Sequence, residues 1–174
     1  DIAATIDCLR ALGVDITVCG DVATVHGINL ENAAPTVPLC CRESGSTLRF
    51  LVPPALLCRK EVHFVGSRTL LSRPLSVYET LCAERGMTFA QSEKGLTVCG
   101  KLTAGEFRVP GNISSQFISG LLFTLPLLSG DSVIRITSPV ESRSYIDLTV
   151  AALAAFGVTA QWADERTITV AGGQ

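Results

Sequence analysis

A chain of 174 residues, 47% hydrophobic and 17% charged, is long enough to bury a core and too apolar for a disordered segment. A net charge of −2 argues against a general nucleic-acid binder, which concentrates positive charge along the phosphate track. Seven cysteines without a Cys-x-x-Cys pair and two isolated histidines point to reduced core thiols in a cytoplasmic protein with no metal site, and no run reaches the ~18 apolar residues of a membrane span.

Ile2, Ile6, Leu9 and Leu12 recur at helical spacing and predict a first helix that Gly13 stops. Val14, Ile16 and Val18 alternate with polar neighbours, the mark of a half-buried strand. Residues 28–43 carry prolines and read as an irregular loop. A second helix is expected over 46–57, kinked or split by Pro53-Pro54. A strand over 62–65, a loop over 66–72 and a helix over 74–85 follow, with Pro74 in the first turn of that helix. The last third predicts a strand over 106–109, a helix over 114–128, a strand over 132–136 and a helix over 145–156.

One phrase occurs three times: an apolar helix, a glycine, a short strand, a polar turn and a second strand ending on glycine. Its copies are residues 5–27 (TIDCLRALGVDITVCGDVATVHG), 79–100 (ETLCAERGMTFAQSEKGLTVCG) and 149–172 (TVAALAAFGVTAQWADERTITVAG). A period of roughly 70 residues means one supersecondary unit used repeatedly. The expected organisation is a single α/β domain over 1–174 with units at 1–27, 44–100 and 106–172. The first unit is partial and lacks its leading helix and strand.

Between the copies lie runs of small polar residues with arginine. They are Ser44-Gly45-Ser46-Thr47 before Arg49, Ser72-Arg73-Pro74, Gly111-Asn112-Ile113-Ser114-Ser115-Gln116 and Ser142-Arg143-Ser144-Tyr145. Each falls where a helix is expected to begin. Helix N-termini expose unpaired N–H groups, hydroxyls add donors without bulk, and arginine offers a two-pronged contact to an oxyanion. A serine before a helix is ordinarily an N-cap, and a lone loop arginine a solvated charge. Recurrence in a chain otherwise sparse in charge favours anion binding, and Ser114-Ser115-Gln116 stands out because one cap needs only one serine. His26, His63, Cys41 and Trp162 read as structural. No carboxylate pair and no Ser/His/Asp or Cys/His set can be assembled, so the chain reads as the anion-binding half of a site without a catalytic acid or base of its own.

Through CRESGSTLRF (41–50), SRPL (72–75), VPGNISSQFISGLL (109–122) and SRSYIDLT (142–149), the chain resembles the 5-enolpyruvylshikimate-3-phosphate synthase family over nearly its whole length. The resemblance implies one domain of a two-domain, inside-out α/β barrel enzyme, each domain built from three βαβαββ repeats. It implies transfer of the enolpyruvyl group of phosphoenolpyruvate to the 5-hydroxyl of shikimate 3-phosphate, in aromatic amino-acid synthesis, without metal or organic cofactor. It also implies that the parent is the target of glyphosate. Ser114, Ser115, Gln116, Ser142 and Tyr145 are thereby expected to hold shikimate 3-phosphate. Gly45, Arg73, Gln116 and Arg49 are expected around phosphoenolpyruvate or glyphosate.

Two parts of the family pattern have no counterpart here: a lysine-serine…arginine stretch before Asp1, and the second domain with its proton-transferring groups. That second domain is the expected partner, and the chain alone is expected to be inactive, a binding module. The sister enolpyruvyl transferase acting on UDP-N-acetylglucosamine is an alternative. Its family carries a reactive cysteine in the loop before its Arg-Pro, where Gly66-Ser67-Arg68-Thr69-Leu70-Leu71-Ser72 has none.

Overall fold

The computed structural model describes residues 1–58 and 60–174, which form two compact units, residues 1–101 and 102–174. In the first unit, α1 (Ile2–Ala11) buries Ala4 and Cys8, and Leu12 beyond its end completes a stripe at i, i+4, i+8. Gly13 then takes φ +101°, a left-handed turn that a side chain would strain. The antiparallel pair β1 (Asp15–Cys19) and β2 (Val22–His26) follows as a two-stranded ribbon.

A four-stranded sheet makes the rest of the first unit, in the order β3-β4-β6-β5. Its strands are β3 (Leu39–Cys40), β4 (Val62–Val65), β5 (Thr88–Ser92) and β6 (Gly95–Cys99). β3 and β4 are parallel, so a crossover must join them, and α2 (Gly45–Ala55) is that crossover. One turn of helix, α3 (Arg68–Leu71), and then α4 (Ser76–Glu84) lead from β4 to β5. Leu39, Leu48, Val62, Phe64, Tyr78, Leu96 and Val98 are buried between helices and sheet. Each such large side chain contributes about 1.5–3 kcal/mol by leaving water.

The second unit has the same strand order and directions: β7 (Glu106–Val109), β8 (Ser132–Ile136), β10 (Thr167–Val170) and β9 (Ala160–Asp164). β7 and β8 are parallel and the other pairs antiparallel. α5 (Ser115–Leu122) makes the crossover, and α6 (Arg143–Ala155) joins β8 to β9. Phe107, Phe117, Leu121, Ile134, Ile146 and Ile168 fill this unit's core.

Several element boundaries differ from expectation. α2 runs without a break through Pro53 and Pro54. The expected loop over 66–72 contains α3, which Ser67 caps by accepting the Leu70 N–H at 3.2 Å. α4 starts after Leu75, so Pro74 lies in the preceding turn and not in the helix. The helix expected over 114–128 ends at Leu122 and resumes as a short 3-10 turn over Leu125–Leu127. Pro126 explains that break, because it has no N–H for the Leu122 carbonyl and its ring would press on that oxygen.

Candidate anion-binding sites

In the first unit three of the singled-out residues converge. Ser44 caps α2, its Oγ accepting the Thr47 N–H at 3.1 Å and the Thr47 hydroxyl at 2.7 Å. Gly45 is then the first helical residue, and Arg49 lies one turn on along the same face. Arg73 comes from the turn after α3. A Cβ built on Gly45 would lie 2.9 Å from Arg73 Nη1 and 3.0 Å from Arg49 Nη1. Two guanidiniums thus close on the one residue with no side chain, at the first residue of a helix. Burial, reinforced by the neighbouring Arg73, lowers the pKa of Arg49. Burial first and the neighbouring charge second disfavour the cation, and an oxyanion lying against both arginines would offset both effects.

In the second unit Ser114 caps α5, its Oγ accepting the Gln116 N–H at 3.3 Å. Ser115 and Gln116 open the helix and are half-buried. The loop before α5 is tied to the loop before α6. The Glu141 N–H donates to the Gly111 carbonyl at 2.9 Å, and the Gly111 N–H donates to Ser138 Oγ at 2.9 Å. Gly111 is required there: a Cβ would meet Ile136 at 2.6 Å and the Pro139 carbonyl at 2.7 Å. Further along, the Ser119 and Thr149 hydroxyls, 2.7 Å apart, bind α5 to α6. These ties hold the Ser114–Gln116 segment and the Ser142 turn at one end of the unit. Tyr145 is 64% exposed, whereas Arg143 lies folded back over Trp162, 4.1 Å from the ring centroid.

Backbone strain falls on the same loops. Among the described residues, those other than glycine with positive φ are Arg42, at 55°, and Ser142, at 57°. Such conformations cost about 1–3 kcal/mol each and persist where surrounding structure imposes them. Arg42 precedes the α2 cap by two residues, and Ser142 immediately precedes α6.

Sequence reasoning missed two side chains behind the arginine pair. The Tyr78 hydroxyl donates to the Arg49 carbonyl at 2.7 Å. Gln91 Nε2 donates to the carbonyls of Leu71 at 2.7 Å and Arg73 at 3.0 Å. A signal for the first existed: Pro53 withholds the N–H that the Arg49 carbonyl would receive in a regular helix, so a donor had to come from elsewhere. Among the described residues, no group of three or more His, Cys, Asp or Glu side chains could hold a metal ion, and no helix is long and apolar enough to cross a membrane.

The family model described as EPSP synthase (3-phosphoshikimate 1-carboxyvinyltransferase) matches residues 1–174. The chain belongs to the EPSP synthase family. The 3-phosphoshikimate 1-carboxyvinyltransferase of Clostridium perfringens (strain SM101 / Type A) is 44% identical over 176 residues, covering 100% of this chain and 42% of the relative. That of Clostridium beijerinckii is 48% identical over 166 residues, covering 91% of this chain and 38% of the relative. An EPSP synthase structure from Acinetobacter baumannii superposes with a TM-score of 0.80 at 23% identity, covering 99% of this chain and 39% of that one. The chain therefore has the EPSP synthase fold, of the inside-out α/β type, and spans about two fifths of the length of these family members.

Proposed function

We propose that this chain is the shikimate-3-phosphate-binding portion of an enzyme that transfers the enolpyruvyl group of phosphoenolpyruvate to the 5-hydroxyl of shikimate 3-phosphate, releasing phosphate. The convergence of Arg49 and Arg73 on Gly45, in a chain of this family, carries the reading. Phosphoenolpyruvate presents a carboxylate and a phosphate, both suited to planar, two-pronged guanidinium contacts. The Ser114 and Ser115 hydroxyls and the Gln116 amide suit the 3-phosphate and its sugar ring, with Ser142 and Tyr145 at the start of α6 beside them. In this reading Gly45 also lines the space that glyphosate takes.

The reaction delivers a proton to the methylene carbon of phosphoenolpyruvate while the 5-hydroxyl loses one. Both steps need acid and base groups held in a water-poor cleft. This chain's proposed part is binding and orientation. The acid and base come from a second domain of the longer protein, and the chain by itself binds without turning over. Its seven thiols, all free, support a reducing cytoplasmic location.

The test is a titration of the chain with shikimate 3-phosphate and with phosphoenolpyruvate, followed by amide NMR, beside turnover assays on the chain and on a full-length family member. Shifts centred on Ser114–Gln116 and on Gly45–Arg49 respectively are expected, with turnover only in the longer protein. In that longer protein the equivalent of Arg73→Lys should raise KM for phosphoenolpyruvate more than for shikimate 3-phosphate, because lysine keeps the charge and loses the planar contact. Turnover by the chain alone, above a Ser115→Ala control, would refute the division of labour.

A further inference from the structure

We propose that Tyr78 and Gln91 are positioning residues for the arginine pair: each grips one arginine's backbone, and together they hold both heads converged on Gly45. The proposal rests on reading that pair as the anion site, and it extends that reading to residues that need not touch the anion.

Arg49 is held through a gap in its own helix. Its carbonyl sits four residues before Pro53, where a regular α-helix would supply an N–H and proline has none. The Tyr78 phenol from α4 fills that place at 2.7 Å. Tyr78 is 0% exposed, and burial raises its pKa well above the usual phenol value, so the hydroxyl keeps the proton it donates. Arg49 is thereby tied to α4 at the backbone, which fixes the point on α2 from which its side chain extends toward Gly45.

Arg73 is held differently. It lies in the turn between α3 and α4, where its N–H donates to the Leu70 carbonyl at 3.1 Å. Gln91, on β5, spends both donors of its amide on the carbonyls of Leu71 and Arg73, bracketing Ser72 between them. β5 is fixed in turn by antiparallel pairing, Gln91 lying opposite Leu96 of β6. The clamp thus transmits the rigidity of a sheet to an exposed turn that has little packing of its own.

Both clamps are needed because the pair is self-repelling. Two guanidiniums whose Nη1 atoms each lie within 3.0 Å of the same Cβ position would part if their backbones were free to yield. α4 and β5 are consecutive in the chain, so one helix-strand segment, 76–92, grips both arginines.

The test uses Tyr78→Phe and Gln91→Met in this chain, each removing the donors while keeping most of the shape. Two readouts are needed: NMR order parameters and solvent exchange of the arginine Nε–H groups without ligand, and titration with inorganic phosphate as the probe. In Gln91→Met the Arg73 Nε–H should become more mobile, and in Tyr78→Phe that of Arg49. Phosphate should bind about 2- to 12-fold more weakly in Tyr78→Phe, which loses one intramolecular hydrogen bond, and about 5- to 150-fold more weakly in Gln91→Met, which loses two. Gln91 is exposed, so thermal unfolding of Gln91→Met should stay close to wild type, which a merely structural residue acting through stability would not allow. If Tyr78→Phe does not fold, Gln91→Met decides alone. Unchanged arginine dynamics in Gln91→Met overturns the proposal whatever the pair binds. Changed dynamics in a chain whose wild type shows no phosphate shifts at Arg49 and Arg73 would instead sink the anion reading and leave the clamps standing.

Discussion

Gly45→Ala separates the two demands made on the start of α2. The methyl would lie 2.9 Å from Arg73 Nη1 and 3.0 Å from Arg49 Nη1, so both heads must retreat by a few tenths of an ångström. They can do so, because both contacts are to the ends of long side chains and the third neighbour, Leu70 Cδ1, is at 4.0 Å. Gly45 is not among the positive-φ glycines, and alanine in a helix is favoured over glycine by up to about 1 kcal/mol. Folding stability should therefore hold or rise slightly. Anion binding should fall: a charge-assisted hydrogen bond is worth about 1.5–3 kcal/mol, and displacing two of them part-way should cost about 1–2 kcal/mol, or roughly 5- to 30-fold in affinity. Urea unfolding measures the first quantity and titration with phosphoenolpyruvate or phosphate, followed by NMR, the second. Unchanged affinity would show that the arginine heads do not meet a ligand above Gly45. A joint fall of stability and affinity would show that the methyl disrupts the helix start itself.

Ser114→Ala should cost about 1 kcal/mol of stability as a lost N-cap, whereas Ser115→Ala should leave urea unfolding unchanged and weaken shikimate 3-phosphate binding by about 1–3 kcal/mol; equal behaviour of the two would reduce both to capping. Timed alkylation read by mass spectrometry should modify the exposed Cys19 and Cys40 well before Cys82, whose thiol burial pushes up to about 11; equal rates would contradict the packing of α4. The Glu106 carboxyl is held below the usual range, first by its hydrogen bond from Arg135 at 2.6 Å and then by Arg108 at 2.9 Å. A lowered folded pKa stabilises above the unfolded carboxylate value and is lost as pH falls through the lowered one. Glu106→Gln should thus trail wild type slightly at neutral pH and meet it in strong acid, and a gap that widened on acidification would reverse the assignment.

Local patterns were legible wherever one residue settled a local question. Leu12 and Gly13 marked the end of α1, and the serine runs marked the starts of α2 and α5 because a cap acts within three residues of itself. Gly45, Arg49 and Arg73 could be singled out as residue types suited to an oxyanion, and the structure brings those three together. What escaped was what depends on distant partners or on geometry within a turn. Pro53 and Pro54 read as a break, yet α2 continues, with Tyr78 supplying from 29 residues away a donor that Pro53 lacks. α3 is a single turn, too short for any periodicity to reveal. Gln91 is an exposed position on the first strand of the 79–100 repeat, where nothing in the phrase marks it, and only the fold carries it to the Arg73 turn.

The proline pair in α2 also bears on the order in which the first unit folds. Most helices close on bonds between near neighbours and can form in about a microsecond before anything else is in place. α2 cannot complete itself in that way, since at Arg49 its ladder waits for a hydroxyl that arrives only when α4 has packed. The helix becomes a product of tertiary assembly, with β4 and α3 placed between the two partners in the chain. A loop of that length must close first, at an entropic cost that local helices avoid. α2 should therefore gain hydrogen-exchange protection together with α4 during refolding, later than α1.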